Sequence, residues 1–187
     1  MLMIKKKLQT ILQRRVRSAF SLIEIMVILF IISLGLVGVL SLIIQNIQSQ
    51  SYNKNNFIAY QLAQEGVELI RQVRDSNWKN GVNFGTNLVP LSSFVGEYYM
   101  DYQDTIPHDA SSNPTLLTVL KQDSSGFYFH DATSPAANTP FSRLIRITDL
   151  SENDFRVNSI VTWQDHNRDY SYDLETFLYD WRYITNK

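Results

Sequence analysis

One carboxylate stands at the head of a long apolar stretch, and its chemistry is the most specific signal in the chain. Glu24 directly precedes residues 25–44, IMVILFIISLGLVGVLSLII, twenty residues without a charge. An ionised side chain within hydrocarbon costs roughly 2.5–3.5 kcal/mol on insertion scales, so such a residue is usually kept for a function. A neighbouring cation offsets that cost, because attraction strengthens where the dielectric falls. The plain alternative is an interfacial carboxylate lying just outside the apolar core.

Other residues offer less. His108, His130 and His166 stand in no metal-binding spacing such as H-E-x-x-H. No G-x-S-x-G and no glycine-rich phosphate loop occurs. The chain has no cysteine, so disulfides, thiolate zinc sites and cysteine nucleophiles are excluded. Asp165, Asn167 and Asp169 place oxygen ligands at positions one, three and five of a calcium-type loop, with Ser171 and Asp173 beyond them. Tyr170 replaces the glycine at six, however, and Thr176 the glutamate at twelve, so a solvated hairpin turn is the better account. The chain reads as non-enzymatic, with no cofactor.

Length and charge constrain the rest. The 187 residues suffice for one membrane segment and one modest globular domain. Apolar residues make up 44% of the chain and the mean hydropathy is −0.16, which excludes a multi-span protein. Residues 1–19 carry Lys5, Lys6, Lys7, Arg14, Arg15 and Arg17 and no acid. The remainder holds eleven basic and eighteen acidic side chains, a net of −7. A basic leader before an acidic body fits a cytoplasmic start and an exported end. It argues against nucleic-acid binding by the exported part.

The elements that position Glu24 follow from hydrophobic periodicity. Twenty helical residues span roughly 30 Å, a bilayer core. A secretory h-region is usually about 7–15 residues and ends at a small-residue site; this run is longer and no such site follows. Arg14-Arg15 alone is a weak twin-arginine signal. Beyond it, Ile58, Leu62, Gly66, Leu69 and Val73 form one stripe, widened by Ala59, Ala63, Val67 and Ile70. That is the spacing of an amphipathic helix, with Gln64, Glu68, Arg71, Gln72 and Arg74 mostly off the stripe. One continuous helix from Phe20 to about Asp75 is expected; the polar stretch 49–56 leaves open a break between anchor and soluble helix.

Residues 76–97, with Asn80-Gly81 and Gly85, read as a loop. Strands are predicted at 98–103, 116–121, 126–130, 144–148, 155–164 and 172–178, with 155–164 and 170–179 forming a hairpin across a polar turn. Residues 131–140, with Pro135 and Pro140, are predicted as another loop. Trp163, Phe177, Tyr179, Trp181 and Tyr183 are expected to pack the sheet against the helix; the alternative is an exposed contact surface for another protein subunit or a ligand. The fold class is therefore α+β. A long N-terminal helix, half transmembrane and half amphipathic, packs on a C-terminal antiparallel sheet. The domains expected are a leader at 1–19, a membrane helix at 20–44, its amphipathic continuation at 45–75 and an exported β-rich domain at 76–187.

The segment Ala19-Phe20-Ser21-Leu22-Ile23-Glu24, behind a basic leader and before an apolar helix, resembles the cleavage and methylation signal of type IV prepilins and pseudopilins. The specific motif covers about residues 14–44. Residues 59–66, AYQLAQEG, and 74–78, RDSNW, resemble helix segments in minor pilins of the type IV pilus modification group. The resemblance implies a pilin-like fold. It implies processing between Ala19 and Phe20 by a prepilin peptidase, which also methylates the new Phe20 terminus, and an assembly role for Glu24. Most members have glycine where this chain has Ala19, and many have a proline in the apolar helix; here none precedes Pro90. The Phe20 α-amine would lie four residues from Glu24 and stay positive after methylation, free to pair within a subunit or between subunits.

The implied partners are the processing peptidase, other pilin or pseudopilin subunits, a membrane assembly platform and, before assembly, the bilayer. The implied location is the bacterial inner membrane, crossed once, followed by an extracellular filament or a periplasmic pseudopilus. A rival class is a single-pass protein whose uncleaved anchor carries an external binding or catalytic domain. A further reading is a soluble domain released after an atypical signal peptide.

Overall fold

A computed structural model describes residues 20–88, 94–114, 118–130, 136–151 and 154–180. They fall into two compact units, divided between Gln48 and Ser49. Helix α1 runs Leu22–Lys79 as one element, so no break interrupts the polar stretch at 49–56. Seven strands follow: β1 Val95–Tyr99, β2 His108–Asp109, β3 Val119–Gln122, β4 Tyr128–Phe129, β5 Ala137–Ser151, β6 Asp154–Asp165 and β7 Arg168–Tyr179. All pairings are antiparallel. β5 is the hub: β6 lies along one edge, while β3 and β1 share the other, at the N-terminal and C-terminal halves of β5 respectively. This is the expected α+β, pilin-like arrangement.

The helix stops where backbone chemistry ends it. Gly81 adopts a φ of 72°. Its N–H donates to Trp78 O (3.1 Å) and that of Val82 to Asn77 O (3.1 Å), the paired bonds of a Schellman cap. Asn77, buried, donates its amide to Phe84 O and Thr86 O and ties the following turn to the helix. The helix thus runs four residues past the expected Asp75, because its stop signal is Asn80-Gly81 and not the preceding polar residues.

Residues 137–140 correct the predicted loop: they belong to β5. Pro140 has no N–H to give the ladder. The β3–β5 register shifts opposite it, between Val119 and Lys121. Thr139 Oγ1 fills the gap, donating to Leu120 O and accepting from Phe141 N. Strand 98–103 is also corrected. β1 begins earlier, at Val95, and the chain leaves it at Met100 so that the Asp101 side chain can accept from Gln103 N and His130 N.

Within the second unit the predicted stripe is the buried face of α1: Ala59, Leu62, Ala63, Gly66, Val67, Leu69, Ile70 and Val73 are buried, and Ile58 partly so. Two apolar clusters result. One gathers Leu69, Ile70, Val73, Phe84, Ile145, Ile147, Phe155, Val157 and Leu178. The other gathers Ala59, Leu62, Ala63, Leu120, Phe141, Val161 and Trp163. Trp163 takes the core role expected of it, whereas Phe177 and Tyr179 are exposed because alternation turns them away from α1. Trp181 and Tyr183 lie outside the described residues.

Between the clusters sits a polar junction. Arg143 of β5 is fully buried. It donates to Leu62 O (3.1 Å) and Met100 O (2.7 Å) and pairs with Glu65 (3.1 Å), joining helix, strand and loop through one guanidinium. Beside it, α1 approaches β6 so closely that a Cβ at Gly66 would overlap Ser159 Oγ and lie 3.1 Å from Arg143 Cδ. Ser159 Oγ is buried and makes no hydrogen bond among the described residues.

Overpacking a tight core contact costs typically about 1–3 kcal/mol, and an unsatisfied buried hydroxyl contributes nothing to offset its desolvation. Gly66→Ala is therefore expected to lower stability by about 1–3 kcal/mol. Ser159→Ala should be neutral or stabilising, and the double variant should recover much of the loss. Denaturant unfolding of all four proteins checks this; additive single effects would show that the two positions do not touch.

Candidate functional site

The chemistry-bearing residues of the N-terminal segment sit at a helix start. The backbone O of Ser21 accepts from both Glu24 N (3.0 Å) and Ile25 N (3.2 Å), which makes Ser21 the N-cap of α1. Glu24 is the acidic residue of the first turn. A carboxylate there faces the positive end of the helix dipole. Ser21-x-x-Glu24 also has the spacing of a capping box, a signal legible in the sequence but absent from the reading above. Phe20 precedes the cap and is 68% exposed. Ala19 and the basic leader lie outside the described residues.

From Leu22 to Gln50 every residue of α1 is exposed, on all sides. The most apolar 18-residue window of the helix has a mean hydropathy of 3.0 and none of it is buried. In water such a surface has no satisfactory solvent; its length and composition suit a bilayer crossing or close packing among like helices. Gly35 and Gly38 have nothing within 4 Å of where a Cβ would stand, so no internal packing explains them.

Residues 14–40 match the family model described as "Prokaryotic N-terminal methylation motif". The match supports a processed subunit of the type IV pilin-like kind, and it covers Phe20, Ser21 and Glu24 together with the first sixteen residues of the apolar run. The apolar helix and the motif together are consistent with membrane anchoring. No curated protein and no solved structure matches the chain.

The second unit carries its own clusters of ionisable groups. A cleft of about 400 Å³ is lined by Asp101, Tyr102, Asp104, Asp123, Phe129 and His130. Its three carboxylates are already occupied. Asp101 accepts from Gln103 N and His130 N, Asp104 accepts from Asp101 N and meets His108 Nε2 at 3.0 Å, and Asp123 accepts from Ser125 N and Phe127 N. Loop amides hold these acids as turn-formers, and among the described residues no group of three or more His, Asp or Glu side chains could hold a metal ion.

The calcium-like segment resolves the same way. Asp165 and Arg168 form the last pair of a hairpin whose two turn residues, His166 and Asn167, both have positive φ, 49° and 59°. That is the signature of a two-residue type I′ connection. Asp169 accepts from Gln164 and Asp173 from Asn158, each at its own level of the ladder, so the oxygens do not converge.

His130 is the most perturbed titratable group in this region. Burial, and then the charge of Arg143, push its pKa down to about 3. Neither ring nitrogen makes a hydrogen bond among the described residues, and the ring packs against Tyr99 at 5.5 Å. His130 is therefore neutral in the folded protein wherever the unfolded histidine, with a pKa near 6.5, takes up a proton. The unfolded state binds more protons between pH 6.5 and 3, so stability falls as pH drops through that window, by at most about 1.4 kcal/mol per pH unit. His130→Phe keeps a ring against Tyr99 and removes the titration. Its unfolding midpoint is expected to fall less steeply than that of the wild type between pH 6.5 and 4; parallel curves would exclude His130 as a cause.

Proposed function

We propose that this chain is a structural subunit, a minor pilin or pseudopilin, of a type IV pilus or related filament. In this reading a prepilin peptidase cuts between Ala19 and Phe20 and methylates the Phe20 amine. The apolar half of α1 then anchors the subunit in the inner membrane until it leaves for the filament. The observation that carries the reading is the coincidence of the matched motif with a helix exposed and apolar on every side, headed by a single carboxylate. The chain works by packing and recognition, and the peptidase performs the chemistry.

Glu24 is assigned the assembly role. Four residues separate it from the amine of the processed terminus. Pairing with the amine of a neighbouring subunit would draw an incoming chain into register, and apolar helix faces would then close around the pair. Within the family, segments 59–66 and 74–78 favour the minor pilins of the type IV pilus modification group. Much of the first segment follows from packing, since Ala59, Leu62, Ala63 and Gly66 are the buried residues of the helix–sheet seam.

The chain extracted from membranes of cells expressing its own peptidase is expected to begin at N-methylated Phe20 by mass spectrometry. Glu24→Ala should be processed as efficiently as the wild type yet enter filaments about tenfold less or worse, because it leaves the neighbour's α-amine unpaired among apolar helices, where a lone charge costs roughly 2.5–3.5 kcal/mol. An intact Met1 beside an active peptidase would instead favour a permanent anchor bearing an external binding or catalytic domain. A terminus beyond Ile44 would mean a released soluble domain.

A further inference from the structure

Strand β7 is the long open edge of the sheet. It runs twelve residues, Arg168–Tyr179, and among the described residues it pairs with β6 alone. The two-residue turn at His166-Asn167 sets its hydrogen-bond phase. Asp165 and Arg168 flank that turn as a hydrogen-bonded pair, so Tyr170, Tyr172, Leu174, Thr176 and Leu178 also turn their backbone groups toward β6. The alternate residues, Asp169, Ser171, Asp173, Glu175, Phe177 and Tyr179, aim N–H and C=O away from it. Such an edge is a template for a further strand.

The same edge is thinly covered on its inner face. In β6 the residues facing α1, Val157, Ser159, Val161 and Trp163, are buried. Beside them Tyr170, Tyr172 and Leu174 of β7 pack on the second apolar cluster yet are only partly buried. From α1, Tyr52 meets Tyr170 at 5.1 Å and Tyr60 meets Tyr172 at 5.6 Å, and both helix tyrosines remain exposed. A strand added beside β7 would close this ledge, supplying main-chain bonds and apolar contact together. On the outer face it would meet Asp173 and Glu175. Both accept from one amide, Asn158 Nδ2, at 3.0 and 3.4 Å, and Arg156 stands 4.0 Å from Glu175. These acids disfavour β7 of a second copy, which would set acid against acid, and favour a strand that brings a cation.

Residues 181–187, Trp-Arg-Tyr-Ile-Thr-Asn-Lys, have that chemistry. They follow β7 directly and lie outside the described residues. They are rich in aromatic and β-branched side chains and hold no glycine, proline or acid. Strand alternation sets Trp181 and Tyr183 on one face and Arg182 on the other. A tight return onto the same chain's β7 is disfavoured: both common two-residue turns need positive φ at their first central residue, and Asp180 does not have it. We infer that residues 181–187 of one copy add as a strand to the β7 edge of a second copy, with Trp181 and Tyr183 on the Tyr172–Leu174 ledge and Arg182 against the acids. The inference concerns the second unit alone and does not rest on the filament reading.

The test sediments the full chain in detergent micelles over a range of protein concentrations. Association through the apolar helix is common to all variants and cancels in their ratios. The wild type is expected to associate at least tenfold more tightly than a variant ending at Asp180 and than Arg182→Glu. Adding Asp173→Lys and Glu175→Lys to Arg182→Glu reverses the charges on both sides and is expected to restore most of the association, which a misfolded variant would not do. A labelled peptide of residues 180–187 should bind the shortened chain saturably by fluorescence anisotropy, and at least tenfold more weakly once Asp173→Lys and Glu175→Lys are introduced. Equal association of the wild type and the shortened chain would overturn the inference. So would peptide binding beside a monomeric wild type, since the segment would then occupy its own β7.

Discussion

The second half of α1 can lie against the sheet only because one of its positions has no side chain. At Gly66 the helix backbone comes within reach of Ser159 and of the Arg143 side chain, and a single methyl group there would force them apart. Close approach exposes helix carbonyls to the interior, and Arg143 makes use of one, binding Leu62 O with one nitrogen and Met100 O with the other. Burial pulls the guanidinium pKa down, while Glu65 and Asp101 pull it back up. A buried charge of this kind costs several kcal/mol in desolvation and is tolerable only when its hydrogen bonds and partners are present together. The polar junction therefore fixes where along the helix each of the two apolar clusters forms, because sliding α1 by one turn would strand the guanidinium.

That arrangement settles the second unit without help from the first. The clusters around Leu69 and Leu62 consume one face of α1 between Ile58 and Trp78. The apolar half is left wholly exposed, yet it is the most apolar part of the molecule. A chain that folds one half of a helix by its own sheet and leaves the other half bare has specified two solvents, water for the first and hydrocarbon or other helices for the second. The mainly polar stretch at 45–56, exposed up to Gln50 and partly buried from Ser51, is where the requirement changes.

How much of this was legible follows from what each residue encodes locally. The stripe from Ile58 to Val73 was readable because helical periodicity survives in the sequence, and the β6–β7 hairpin because alternation and a polar turn were both present. Pro140 misled, since its missing N–H argues against a strand; only the Thr139 hydroxyl, bonded across to β3, makes the strand possible there. The end of α1 was placed four residues early because polarity was read in place of the Asn80-Gly81 cap. Arg143 gave no sign at all. An arginine in alternating register looks like an exposed strand residue until the carbonyls that it will meet, 81 and 43 residues away, are brought to it by the fold. Ser21 was the reverse case, a cap spacing present in the sequence and passed over.

The N-terminal site can be weighed by magnitude. The positive end of a helix stabilises a nearby carboxylate by about 0.3–1 kcal/mol at exposed sites and by about 2 kcal/mol at best. An ionised side chain among hydrocarbon costs roughly 2.5–3.5 kcal/mol on the most lenient scales. Capping by Ser21 and the dipole of α1 therefore leave Glu24 under-compensated wherever lipid or apolar helices surround it. A full cation about 4 Å away is worth about 4 kcal/mol at an effective dielectric of 20, enough to close the difference. The leader's own cations depart with the leader in a processed chain, which leaves the new α-amine as the nearest candidate. The electrostatics at the helix start would thus make the proposed processing and assembly parts of one problem: a cut before Phe20 would remove six basic residues and create the cation that the remaining carboxylate needs.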